Sequence, residues 1–119
     1  MRIVMILATL AATSAAQAAP FSCPIQPGKA LEHVTVFDGP PKDMAAMRPE
    51  DGRELKGRLR QTWDVADIAK LGRQAHVECA YKGGAARVVQ VPKTAKTCSQ
   101  ELQRLDRKGN YRTLSFGCR

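Results

Sequence analysis

Arg73-Gln74-Ala75-His76-Val77-Glu78-Cys79-Ala80-Tyr81-Lys82-Gly83-Gly84-Ala85-Ala86-Arg87-Val88-Val89-Gln90-Val91-Pro92 is the stretch that decides the fold. Ala75, Val77, Cys79 and Tyr81 fall on one side of an extended chain and His76, Glu78 and Ala80 on the other, the period of two that marks a half-buried strand. Gly83-Gly84 then separates this run from a second extended one, Ala85 to Val91, which Pro92 ends. Glycine reaches positive φ without a steric penalty, so the pair predicts a hairpin.

Outward from this hairpin the same period recurs. Lys29 to Asp38 alternates, with Leu31, His33, Thr35 and Phe37 on one side and Glu32, Val34 and Val36 on the other, before Gly39-Pro40-Pro41 stops it. Arg58 to Val65 places Leu59, Gln61, Trp63 and Val65 together, and Trp63 is expected to anchor a core. Between these strands, Pro41 to Leu55 contains Pro49-Glu50-Asp51-Gly52 and reads as a loop with room for one helical turn. Cys98 to Leu105 fits a strand better than a helix, although Ser99-Gln100-Glu101 would suit a helix start. A turn at Lys108-Gly109-Asn110 leads into a last strand, Tyr111 to Cys118. The expected fold is mainly β: a small antiparallel sandwich or partly open barrel, stabilised by disulfides, with at most one short helix.

The first residues carry a different message. One positive charge, Arg2, precedes an uncharged run from Ile3 to Ala12 and then small residues up to Ala16-Gln17-Ala18. The run is shorter than the roughly twenty apolar residues that a membrane-spanning helix needs, and it ends in a small-x-small cleavage pattern. Residues 1–18 are therefore expected to be a signal peptide cleaved after Ala18, leaving residues 19–119 as one exported, periplasmic domain. Pro20-Phe21-Ser22 before Cys23 does not fit a lipid-attachment site, and no transmembrane segment follows.

An exported chain meets an oxidising compartment, so Cys23, Cys79, Cys98 and Cys118 are expected to form two disulfides. No two lie within ten residues of each other, which argues against zinc and against a redox CxxC pair. Two pairings compete. A five-residue loop from Asp106 to Asn110 would set Cys98 opposite Cys118 and leave Cys23 for Cys79. Because a change of one residue in that loop would destroy the match, Cys23–Cys118 with Cys79–Cys98 is preferred, the first bond tying the chain ends together.

The domain after cleavage has eighteen Lys and Arg against eleven Asp and Glu, a net charge of +7. Such a surface favours anionic partners, whether an envelope component or a periplasmic protein. Arg53, Lys56, Arg58 and Arg60 form the densest basic cluster and are the candidate binding residues. Arg104, Arg107, Lys108 and Arg112 form a second cluster around the last turn. No aromatic residues interleave with the charges as a nucleic-acid stacking platform would require. Met44 and Met47 are too few for a thioether copper site and read as gap-filling side chains, so no metal and no cofactor is expected.

Phe37-Asp38-Gly39-Pro40-Pro41 with Met44-Ala45 and Arg48-Pro49, then Trp63-Asp64, Val77-Glu78-Cys79-Ala80-Tyr81, Pro92, Cys98 and Cys118, resemble a family of small exported proteobacterial proteins that share four cysteines and a DGPP segment. The resemblance covers nearly all of residues 19–119. It implies a periplasmic four-cysteine domain and brings no active site with it.

No hydrolase elbow, zinc-protease or phosphate-loop motif is present. The reading is a non-enzymatic binding module for an envelope component or protein partner. A specific version, an inhibitor of an incoming cell-wall hydrolase, faces like-charge repulsion if the target is a cationic lysozyme. The rivals are a small periplasmic hydrolase using His33 or His76, with His33 partly buried and His76 facing solvent, and an accessory structural protein of an envelope complex.

Overall fold

The computed structural model describes residues 21–119, so the signal-peptide reading of residues 1–18 lies outside the described residues. Among the described residues seven strands occur in chain order: β1 (Leu31–Asp38), β2 (Asp51–Leu55), β3 (Arg58–Asp64), β4 (Ala75–Tyr81), β5 (Arg87–Gln90), β6 (Thr97–Arg104) and β7 (Tyr111–Cys118). A 3-10 turn, Pro41–Asp43, follows β1, and one helix, α1 (Ala66–Lys70), follows β3. All strand pairs are antiparallel, in a three-stranded sheet of order β1-β4-β5 and a four-stranded sheet of order β2-β3-β6-β7. The mainly β fold with two sheets is the expected class, and the sheets do not close into a barrel.

The core lies where the apolar sides of the two sheets meet. Val36, Val77 and Cys79 from one sheet and Trp63, Cys98 and Phe116 from the other are all buried. The Trp63 and Phe116 rings meet edge to face at 6.2 Å, the arrangement that sets the positive rim of one ring against the negative face of the other. A buried indole N–H needs an acceptor, and Trp63 Nε1 donates to the Met47 carbonyl at 3.2 Å, which pins the loop after the 3-10 turn onto the core. The Tyr81 hydroxyl likewise donates to the Pro24 carbonyl and holds the N-terminal segment.

Two expectations are corrected. The segment before Arg58 is not all loop, because Asp51–Leu55 pairs with β3 through a two-residue turn, Lys56-Gly57. Both turn residues have positive φ, 53° and 76°, and such turns match the twist of the strands they join. Charged residues on both faces of Asp51–Leu55 hide the period of two that marks the other strands. The loop's helical turn is present at Pro41–Asp43, and the segment from Cys98 is a strand, as favoured.

The preferred disulfide pairing is also overturned, since the bonds are Cys23–Cys79 and Cys98–Cys118. The β6–β7 loop, Leu105–Asn110, has six residues and closes on the Arg104↔Tyr111 pair. Taken alone, that register would put Cys118 out of line with Cys98. An irregularity between Glu101 and Leu102, whose partners are Ser115 and Thr113, leaves Leu114 unpaired and restores the match. The first and last parts of the described residues do meet, but through backbone: the Cys118 N–H donates to the Phe21 carbonyl at 2.9 Å.

Cross-linking restricts the unfolded chain more as the closed loop lengthens. With separations of 56 and 20 residues, the chain-entropy relation gives about 4 kcal/mol for Cys23–Cys79 and about 3 kcal/mol for Cys98–Cys118. Urea denaturation should therefore show a larger loss for the Cys23→Ser/Cys79→Ser variant than for Cys98→Ser/Cys118→Ser. Equal losses would refute the ordering.

Candidate functional site

Residues 58, 60 and 62 of β3 alternate with Leu59, Gln61 and Trp63. With Trp63 committed to the core, Arg58, Arg60 and Thr62 must face outward. The register carries this outer face across the sheet: Arg53 pairs with Arg60, Leu55 with Arg58, and Arg60 with Glu101. Arg53, Leu55, Arg58, Arg60, Thr62 and Glu101 together line an open groove of about 550 Å³. Three of the four candidate binding residues thus converge. Lys56, the fourth, occupies the turn at the end of the hairpin and does not line the groove.

Leu55, Thr62 and Glu101 were not among the candidates. Leu55 is 70% exposed, an apolar side chain among guanidinium groups. The signal that could have found it is the Lys56-Gly57 turn, which fixes Leu55 opposite Arg58. Among the described residues, no ion pair engages Arg53, Arg58 or Arg60. Their charge is left for solvent or for a partner.

The second basic cluster is dispersed by the fold. Arg112 Nη2 donates to Gln103 Oε1 at 2.8 Å, and Arg107 and Lys108 sit exposed in the β6–β7 loop. Arg104 lies on the inner face, where Nε and Nη2 each donate to a Glu54 oxygen at 2.7 Å, and the guanidinium stacks 5.3 Å from the centre of the Tyr111 ring. The Tyr111 hydroxyl also donates to Glu54, at 3.0 Å. The bonds from Arg104, and then that from Tyr111, hold the Glu54 carboxyl below its ordinary pKa, while the carboxylate raises that of Arg104. This cluster ties β2 to the β6–β7 hairpin and steadies the groove from behind.

The histidines are not brought together. His33 is exposed rather than partly buried, because a bulge between Leu31 and His33 breaks the alternation that would have turned it inward. Its ring lies 3.8 Å from the Glu32 carboxylate. His76 is half-buried rather than open to solvent, with Nδ1 donating toward the Gly39 carbonyl at 3.0 Å and the Gln74 carbonyl at 3.1 Å. Both acceptors are backbone, which makes this ring a tether between β4 and the end of β1. Met47 packs against the core while Met44 is exposed, so the two thioethers are not on a shared site. Among the described residues no group of three or more His, Cys, Asp or Glu is placed to hold a metal ion.

A family model described as "Type VI secretion system Tli immunity protein" matches residues 26–119. The chain belongs to this family. The match to the immunity-protein family takes in all seven strands and the Cys98–Cys118 disulfide, together with Cys79, whose partner Cys23 lies just before the matched residues. No curated protein and no solved structure matches the chain. Among the described residues no helix is long and apolar enough to cross a membrane.

The cluster behind the groove has a pH signature. A carboxyl with a lowered pKa in the folded state contributes stability that is present above its ordinary pKa of 4.5 and is lost as the pH falls through the lowered value. Amide exchange within β2 should stay protected down to about pH 4.5, allowing for intrinsic exchange rates, and lose protection below it. Glu54→Gln should weaken protection at neutral pH and flatten this dependence, and an unchanged profile would show that Glu54 does not hold the hairpin.

Proposed function

We propose that the chain is a periplasmic immunity protein that binds a toxic effector delivered by a type VI secretion system and blocks it by occupation, without chemistry of its own. Family membership supports the class of partner. The observation that carries the reading of the surface is the outer groove, where Arg53, Arg58 and Arg60 surround the exposed Leu55. Arginine is enriched in protein interfaces, which also bury an apolar centre, and its planar fork meets carboxylates in pairs.

The groove favours a protein over a lipid surface. Glu101 stands directly across from Arg60 and would repel a sheet of phosphate head groups. A protein partner meets both signs residue by residue. The partner surface is accordingly acidic with a small apolar centre, and its encounter with a +7 domain is accelerated by long-range attraction. Export with cleavage after Ala18 puts the protein where an effector arriving from a neighbouring cell is met first.

The test expresses each type VI effector of the source cell in the periplasm of a sensitive host, with and without this chain. Suppression of one effector's toxicity, with binding of the purified pair that weakens as salt rises, is the expected result. The Arg58→Ala/Arg60→Ala variant should keep its melting temperature and lose about 2–4 kcal/mol of binding, roughly thirtyfold to a thousandfold. Failure to suppress any effector, with retention on phosphatidylglycerol vesicles instead, would overturn the proposal.

A further inference from the structure

Among the described residues, neither edge of the four-stranded sheet, β2 or β7, has a further strand beside it. The β7 edge is engaged in part: Thr113 Oγ1 donates to the Glu32 carbonyl and, at the end of the strand, Cys118 N–H donates to that of Phe21. At the other side, among the described residues, β2 is hydrogen-bonded to β3 alone. Its outward groups can be named. The two-residue turn closes on the Leu55↔Arg58 pair, so Leu55, Arg53 and Asp51 exchange bonds with β3 and the alternate residues Gly52 and Glu54 turn N–H and C=O away from the sheet.

Proteins commonly guard such edges with charged side chains. Here the Glu54 side chain is drawn to the inner face by Arg104 and Tyr111, and Gly52 has no side chain. The edge backbone is open, and beside it on the outer face stand Arg53 and Leu55. The other open edge, β5, has only four residues, and the loop leading into it is bridged by Gln26 Nε2 to the Ala85 carbonyl.

We infer that an extended segment of the effector adds to β2 as a fifth, antiparallel strand. This rests on the immunity-protein reading and names how the partner docks. Side chains opposite Arg53 and Leu55 share their face of the sheet, and in an antiparallel strand the residue opposite Leu55 comes two positions before the one opposite Arg53. The segment therefore carries an apolar-x-acidic pattern, the apolar side chain covering Leu55 and the carboxylate pairing with Arg53. Backbone bonds supply the docking and the alternating side chains the selectivity.

Gly52 permits a sharp test. A Cβ there meets nothing closer than Leu59 Cδ1 at 3.9 Å, and its φ is not in the left-handed region. Alanine should fit and keep the outward N–H; proline removes that N–H, which β3 does not use, and proline is tolerated on an edge strand in that setting. The probe is the effector that the chain neutralises, in an inactive form. Gly52→Pro should bind it at least tenfold more weakly while Gly52→Ala binds normally, and the wild-type amides of Gly52 and Glu54 should gain exchange protection on binding. Equal affinity of the two variants, or unchanged exchange at both amides in the complex, would overturn strand addition and leave the immunity reading standing. Absence of any effector bound by the wild-type chain would instead refute that reading. The exchange measurement decides the matter if the proline variant does not fold.

Discussion

Cys98 lies directly across from Cys118, and this pairing sets the phase of the four-stranded sheet. Side chains alternate strictly along a strand, so a slip of one residue between β6 and β7 would exchange the inner and outer faces of one strand relative to its neighbour. With the phase held, Trp63 sits beside Cys98 and meets Phe116 inside the core. Arg60 and Glu101 are then left on the outside. The basic groove is thus a consequence of the same register that builds the core.

The arginines divide by face into two kinds. On the inner face Arg104 is used up by Glu54 and Tyr111, in a bidentate bond that gains from being charge-assisted and geometrically fixed. On the outer face, Arg53, Arg58 and Arg60 have no such partner among the described residues. A binding surface benefits from both kinds. The inner pair limits the freedom of a hairpin that would otherwise project from the sheet, and a steadier hairpin has less entropy to lose when a partner docks. The outer three keep their electrostatic capacity for that event.

The N-terminal segment illustrates how a small domain compensates for a thin core. Phe21 bonds the last strand, Pro24 receives the Tyr81 hydroxyl, and Cys23 is bonded to Cys79 in the middle of β4. A stretch without regular structure is thereby attached to both sheets. The two disulfides act at different levels, one closing a long loop across the domain and the other joining neighbouring strands.

The β class, the positions of six strands and the basic cluster around Arg58 were determined by the sequence alone, because each depends on local composition or on a period of two that a half-buried strand imposes. Trp63 was legible as a core anchor for the same reason. The tertiary structure alone decided the rest. β2 carries charge on both faces, so no hydrophobic period announces it, and only pairing with β3 makes it a strand. The disulfide partners depended on a bulge at Leu114 that offsets one extra loop residue, and a bulge is a balance of twist and packing between strands with no fixed sequence sign. The groove itself arose from register, which brings Leu55 and Glu101 to the arginines from positions that look unrelated in the chain.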